Sequence, residues 1–271
     1  MAYLNKSMNM KQTNVKFLIV ATLLSSCLFF SCRSVQENRT RYEVVKAEGG
    51  MITMDAVWDA HPDEKAVKVL QPYKEQIDHM MNEVIGESEM KMDKGAPESL
   101  LSNLVAGVLQ EAAVPLLGKP ADMGLVNMGG LRNILPKGDI SVGTVYEILP
   151  FENSLCVLTM KGTDMKRLLQ AIASLKGEGV SGVRMKISKK GELLSATIGG
   201  RPVEDNQLYT VATIDYLADG NGRMDAFLQA EKRECPQGAT LRGLFLSYVR
   251  QQTAAGKKIS SRLDGRITVV D

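Results

Sequence analysis

The sequence has 271 residues, 44% of them hydrophobic and 24% charged, enough to bury one substantial core or two modest ones. Its 33 Lys+Arg against 31 Asp+Glu leave a net charge of +2, with no surplus positive field for holding a nucleic-acid backbone, so DNA- and RNA-binding classes are disfavoured. Only two histidines and four cysteines are present, with no CxxC pair and no Cys/His cluster, which gives a zinc site no support.

The N-terminus reads as a secretion signal over residues 1–31. Lys11 and Lys16 precede the apolar run Phe17-Leu-Ile-Val-Ala-Thr-Leu-Leu-Ser-Ser-Cys-Leu-Phe-Phe-Ser31, which is shorter than the roughly 20 residues needed to cross hydrocarbon. Leu28-Phe29-Phe30-Ser31-Cys32 resembles a bacterial lipobox, making Cys32 the expected lipidation site and first mature residue, although Phe29 and Phe30 are bulkier than the commonest pattern. Residues 32–45 are polar and lack apolar periodicity, as a tether should. One folded domain is expected over residues 46–271.

Within that domain, Val67, Leu70, Tyr73, Ile77 and Met80 recur at helical spacing, predicting an amphipathic helix over residues 63–81 that opens at Pro62, with Pro72 a candidate kink. His79 beside Ile77 and Met80 reads as a partly buried structural histidine, and His61 as exposed. Leu100, Leu101, Leu104, Val105 and Val108 predict a second helix over residues 97–111, and a third is expected over residues 164–174. Strand-like runs cover residues 123–127, 154–160, 182–188 and 208–214, with Lys189-Lys190-Gly191 marking a hairpin turn. Helices interleaved with strands, at least one pair antiparallel, predict a mixed α/β layered domain with a mixed sheet. Cys156, in the apolar run Leu155–Leu158, reads as a buried core thiol; with Cys235 it could form at most one disulfide.

Three segments could carry chemistry. Asn127-Met-Gly-Gly-Leu-Arg132 follows a predicted strand; Gly129 and Gly130 would let a backbone approach a ligand, Asn127 offers an amide and Arg132 a planar fork of donors. The plain alternative is a Gly-Gly turn that merely ends a strand. Phe151 in Leu149-Pro-Phe-Glu-Asn153 and Tyr216 in Asp215-Tyr-Leu-Ala-Asp-Gly-Asn-Gly222 each sit at a strand-to-loop boundary, where an aromatic can stand exposed. Two such rings can clamp a flat base, each stack contributing roughly 1–3 kcal/mol without hydrogen-bond matching. The alternative is that both belong to the core.

The order of these motifs, with Gly138–Phe151, the strand ending at Lys161-Gly162 and Thr213–Gly220 in register, resembles the C-terminal domain of the 5′-nucleotidase and UDP-sugar hydrolase family over residues 98–230. Residues 62–97 fit the helix and strand that lead into that domain. The resemblance implies a nucleotide- or nucleoside-binding domain in which Phe151 and Tyr216 hold the base, Asn127 addresses it, and Arg132 takes the phosphate or ribose side. Asn221, with Asp219 two residues before it, is nearest to the acidic residue that would hold the ribose hydroxyls. Two departures stand out: Pro97 and Gly107 occupy positions where the resemblance implies an additional Arg and an Asp.

The resemblance also implies a metal-binding half that this sequence lacks. Hydrolysis in the family uses two metal ions held by a separate N-terminal metallophosphoesterase domain, whereas the mature part here has a lone Asp-x-His string, Asp59-Ala60-His61, no Gly-Asn-His string and no room for a further ~100-residue domain. The expectation is therefore a chain that binds no cofactor or metal itself. It would supply the nucleotide-binding part of a split 5′-nucleotidase, anchored by lipid at the cell envelope, with the divalent metal in a separately encoded metallophosphoesterase. The alternative is a non-catalytic nucleotide-binding or scaffold lipoprotein. No nucleophile elbow or helical metal motif favours an unrelated self-contained enzyme.

Overall fold

The computed structural model describes residues 44–60 and 62–271; the signal segment, Cys32, most of the tether and His61 lie outside them. The chain divides into two units, Met1–His61 and Pro62–Asp271. Of the first, Val44 to Trp58 are exposed, and a single 3-10 turn closes it at Trp58–Ala60.

The second unit begins with α1, Glu64–Met81, where the apolar spacing predicts it. The Asp63 carboxylate caps its start, accepting from the Lys65 and Ala66 amides at 2.8 and 3.2 Å. The helix continues through Pro72. Two expectations fail here. The stripe formed by Val67, Leu70, Tyr73, Ile77 and Met80 enters no core, and His79 is exposed instead of partly buried. The helix meets the rest of its unit at its C-terminal end, where partly buried Met81 packs against the core and, just beyond it, the Val142 amide donates to the Glu83 carbonyl at 3.0 Å.

Strand β1, Val84–Ser88, pairs antiparallel with β3, Gly138–Ser141. Helix α2, Leu100–Ala112, starts at a Ser99 cap and buries Leu101, Leu104, Val105, Val108 and Leu109. It presses on the main sheet, whose strand order is β10-β4-β9-β2-β5. Those strands are β2, Met123–Val126; β4, Leu155–Lys161; β5, Gly179–Ser181; β9, Leu208–Ile214; and β10, Lys232–Glu234. β4 and β9 pair antiparallel in register from Leu155↔Ile214 to Lys161↔Leu208, while β2 and β9 run parallel, which makes the sheet mixed. β2 and β5 are buried throughout and β4 nearly so, the unbroken burial of strands covered on both faces. Gly124 lets α2 approach the sheet closely: a Cβ there would lie 2.2 Å from the Ala106 carbonyl oxygen of α2.

Helix α3, Val142–Ile148, opens with a Ser141/Thr144 capping box, and α4, Gly162–Ser174, packs Met165, Leu168, Leu169 and Ile172 inward. A second sheet has the order β11-β6-β7-β8, with β6 at Val183–Ser188, β7 at Leu193–Ile198, β8 at Arg201–Pro202 and β11 at Ile267–Val270. β6 alternates buried Val183, Met185 and Ile187 with exposed Arg184 and Lys186. The expected turn joins β6 to β7, with Gly191 at φ 87°. Helix α5, Leu241–Ala254, lies beside β1 and α2, burying Leu241, Arg242, Phe245 and Val249.

Cys156 is buried as expected, but it is not a free thiol: it is bonded to Cys235. The β10–β4 register, running from Lys232↔Thr159 to Glu234↔Val157, continues into that pair and brings the two Cα atoms to 4.2 Å. Local apolar patterning around Cys156 carries no trace of this partner 79 residues away.

Candidate nucleotide site

Three loops meet at one end of β2, β4 and β9. The first leaves β2 at Asn127 and makes a single 3-10 turn over Met128–Gly130. The Asn127 carbonyl accepts from the Gly130 amide at 3.0 Å, and the Arg132 amide donates to Ile148 at 2.9 Å, tying this loop to the end of α3. The Arg132 side chain is exposed and donates to the Gly129 carbonyl at 3.3 Å. Asn127 Oδ1 is buried and has no hydrogen-bond partner among the described residues; it lies 3.1 Å from where a Cβ on Gly130 would stand. A buried acceptor without a donor is costly in water-free surroundings, and an N–H or O–H group on a ligand would satisfy it.

Beneath this turn, Glu178 Oε2 accepts from the Met128 amide at 2.5 Å. Burial pushes the Glu178 carboxyl above the usual carboxylate range, and the bond from Met128 pulls only partly the other way.

The second loop, Leu149–Ser154, carries Phe151, which is 49% exposed. It is held from behind by Arg242 of α5, whose Nη1 donates to the Leu149 and Pro150 carbonyls at 3.1 Å each and whose Nη2 pairs with Glu152. Leaving β9, the third loop turns through Asp215–Ala218 and carries Tyr216, 44% exposed. Asp215 Oδ1 joins loops two and three: it accepts from Asn153 Nδ2 at 3.1 Å and from the Tyr216 amide at 2.8 Å. Gly130, Phe151, Asn153 and Ile214 line one small cleft. Past Tyr216 the chain folds back, so that a Cβ on Gly222 would stand 3.8 Å from Tyr216 Cε1; Asn221 is exposed.

Asp219 has a specific partner. Its Oδ1 accepts from Arg233 Nη1 at 2.6 Å, and the same guanidinium reaches Cys235 Sγ from Nε at 3.3 Å and Cys156 Sγ from Nη2 at 3.8 Å. The disulfide and the Asp219 loop are thus linked through a single side chain.

The loops bearing Asn127, Gly129, Gly130 and Arg132, Phe151, and Tyr216 with Asp219 and Asn221 therefore lie together, with both rings standing out of the core. The local sequence pattern marks no role for Asn153, Glu178, Arg233 or Arg242. Asn153 is flagged only by its place two residues after Phe151, whereas the others act across long sequence separations that no local pattern encodes.

The fold agrees with what the chain resembles. The family described as 5′-nucleotidase, C-terminal domain matches residues 76–229, more than half of the sequence, and the chain belongs to that family. Endonuclease YhcR of Bacillus subtilis is 28% identical over 196 residues, 69% of this chain and 16% of YhcR. Cell wall protein Lmo0130 of Listeria monocytogenes is 27% identical over 231 residues, 76% of this chain and 29% of its own length. Among solved structures, a 5′-nucleotidase precursor from Thermus thermophilus superposes with a TM-score of 0.65 at 26% identity, covering 79% of this chain and 45% of its own. The chain thus spans from about a sixth to under half of the proteins it matches.

Among the described residues no three of His, Cys, Asp or Glu gather into a cluster able to hold an ion, and His79 stands exposed on α1.

Proposed function

We propose that this chain binds a nucleotide or nucleoside through these three loops and serves as the nucleotide-binding part of a split 5′-nucleotidase, with hydrolysis supplied by a separately made metallophosphoesterase. Two half-exposed rings, Phe151 and Tyr216, on loops stitched together by the Asn153–Asp215 bond carry this reading. The base lies between the rings, Asn127 Oδ1 takes a donor from it, and the exposed guanidinium of Arg132 takes the phosphate side with its forked donors. Asn221 and Asp219 face the sugar, Asp219 doing so with its charge already paired to Arg233.

The chain is proposed to be exported and held at the cell envelope through lipid on Cys32. An apolar N-terminal run ahead of a lipobox-like cysteine and a structural disulfide suited to an oxidising compartment support this.

Calorimetric titration with AMP tests the binding role. A saturable signal that Phe151→Ala weakens is expected, and no heat from the wild type would remove nucleotide binding. Mixing with a metallophosphoesterase and a divalent metal tests the split role: phosphate release from AMP must exceed that of the partner alone.

A further inference from the structure

We infer that the exposed apolar face of α1 is the surface on which the metallophosphoesterase docks, an inference that rests on the split-enzyme reading above.

The helix is about 27 Å long at 18 residues, yet buries none of them. Val67, Leu70, Tyr73, Ile77 and Met80 are 45–65% exposed on one face, and Val69 widens it at 65%. A helix of this length in water is marginal unless its apolar stripe is covered. What α1 makes for itself is slight: the Asp63 cap, an exposed Gln71–Glu75 hydrogen bond and an exposed Lys74–Asp78 pair, set against a proline in its interior. The remaining stabilisation has to come from a surface laid over the stripe.

The stripe itself says what kind of surface. At 100° per residue, Val67 through Leu70, Ile77, Tyr73 and Met80 to Val69 span roughly 160° of the helix, wider than the narrow seam of a two-helix coiled coil. A globular body fits this better than the same helix of a second copy. Asp63, Glu64, Glu75 and Asp78 outnumber Lys65, Lys68 and Lys74, leaving no basic surplus for an anionic lipid surface.

Position supplies the identity. The matched family is a C-terminal domain, and the chain covers 45% of the Thermus 5′-nucleotidase precursor, so in such a relative the rest of the polypeptide precedes this region. α1 is the first element of the compact unit. A catalytic body that in relatives is joined covalently just ahead of this helix is here held to it by apolar contact.

The test mixes the full chain with a metallophosphoesterase from the same genome that lacks a nucleotide-binding domain, and follows complex formation by light scattering on a sizing column and phosphate release from AMP. The wild type is expected to co-elute with the partner and raise its activity. Leu70→Glu with Ile77→Glu changes two exposed side chains, so the variant keeps the circular dichroism and AMP affinity of the wild type while complex affinity falls roughly 100-fold or more. Phe151→Ala does the reverse, co-eluting normally but losing the gain in activity. A double variant that still co-elutes and activates as the wild type does would overturn the inference and leave the split enzyme standing. The same holds if its only effect is to break a homodimer or release the chain from phosphatidylglycerol vesicles. If the wild type forms no complex at all, the split reading and this inference fall together.

Discussion

The guanidinium of Arg242 stands 4.1 Å from the centre of the Tyr146 ring. From that position, between α3 and the loop after it, the same side chain donates to the Leu149 and Pro150 carbonyls and pairs with Glu152, so the segment presenting Phe151 is fixed by one residue of α5. Phe151 holds an exposed ring steady because the backbone on its near side is anchored.

Arg242→Lys should lose both the fork and the cation–π contact. Since Arg242 is buried, the expected loss of stability is about 2–3 kcal/mol, read as a lower denaturant midpoint. AMP affinity should fall with it, although Arg242 touches no ligand in the proposed arrangement. Unchanged affinity in a destabilised variant would show that the Phe151 loop needs no such anchor.

Truncating either ring separates binding from folding. Phe151→Ala and Tyr216→Ala each remove a half-exposed side chain, so melting temperature should barely move. AMP affinity should drop by roughly 1–3 kcal/mol for each, the contribution of one stacked base. A variant that melts early and binds normally would place that ring in the core after all.

Glu178 gives the loop a pH dependence with a definite sign. Its carboxyl titrates near the ordinary 4.5 when unfolded and higher when folded, because burial disfavours the charge. Between those two values the folded protein holds more protons than the unfolded one, so stability falls as pH rises through the window and stays reduced above it. Glu178→Gln keeps an acceptor for the Met128 amide but cannot titrate. Relative to the wild type, the variant should therefore gain melting temperature on going from about pH 4 to neutrality. Parallel curves across that range would exclude a role for Glu178 ionisation.

Joining residues 79 apart, the Cys156–Cys235 disulfide restricts the unfolded chain by about 4.5 kcal/mol on loop-closure grounds. Treatment with a dithiol reductant, or the double Ala variant, should lower the denaturant midpoint accordingly. Equal midpoints under oxidising and reducing conditions would show that the bridge adds nothing to stability.

Gly124→Ala tests the helix-to-sheet contact. Its Cβ would meet the Ala106 carbonyl oxygen at 2.2 Å and Ser181 Oγ at 2.5 Å, so α2 must move off β2. The loss should be about 1–3 kcal/mol, with little change in AMP affinity because the contact lies away from the loops. Wild-type stability in that variant would mean that α2 shifts without cost.

How far the sequence disclosed this molecule depended on the range of the forces involved. α1, α2 and α4 were legible because each advertises its apolar face at helical spacing, and β4, β6 and β9 because they are runs of apolar or alternating residues between turns. α5 went unread, although Leu241, Phe245 and Val249 fall at helical intervals behind a Thr240 cap. Periodicity also misled at α1, where it correctly announced a helix but could not say whether a core lay against it. In the site, Phe151, Tyr216 and the Asn127–Arg132 loop were visible as exposed aromatics and glycines at strand ends. Arg242, Arg233 and Glu178 were not, because each works through a partner 14 to 93 residues distant, brought near only by the completed sheet.

The disulfide also shapes what the outer rim of the main sheet can do. β10 is an edge strand of three residues, Lys232, Arg233 and Glu234, pinned at its end to β4. A neighbouring chain seeking to extend the sheet there would find a ladder only three residues long and a charged side chain at every rung, and the covalent staple keeps β10 from peeling away to expose the longer apolar strand behind it. At high protein concentration, that rim resists recruiting another molecule into fibrous aggregates.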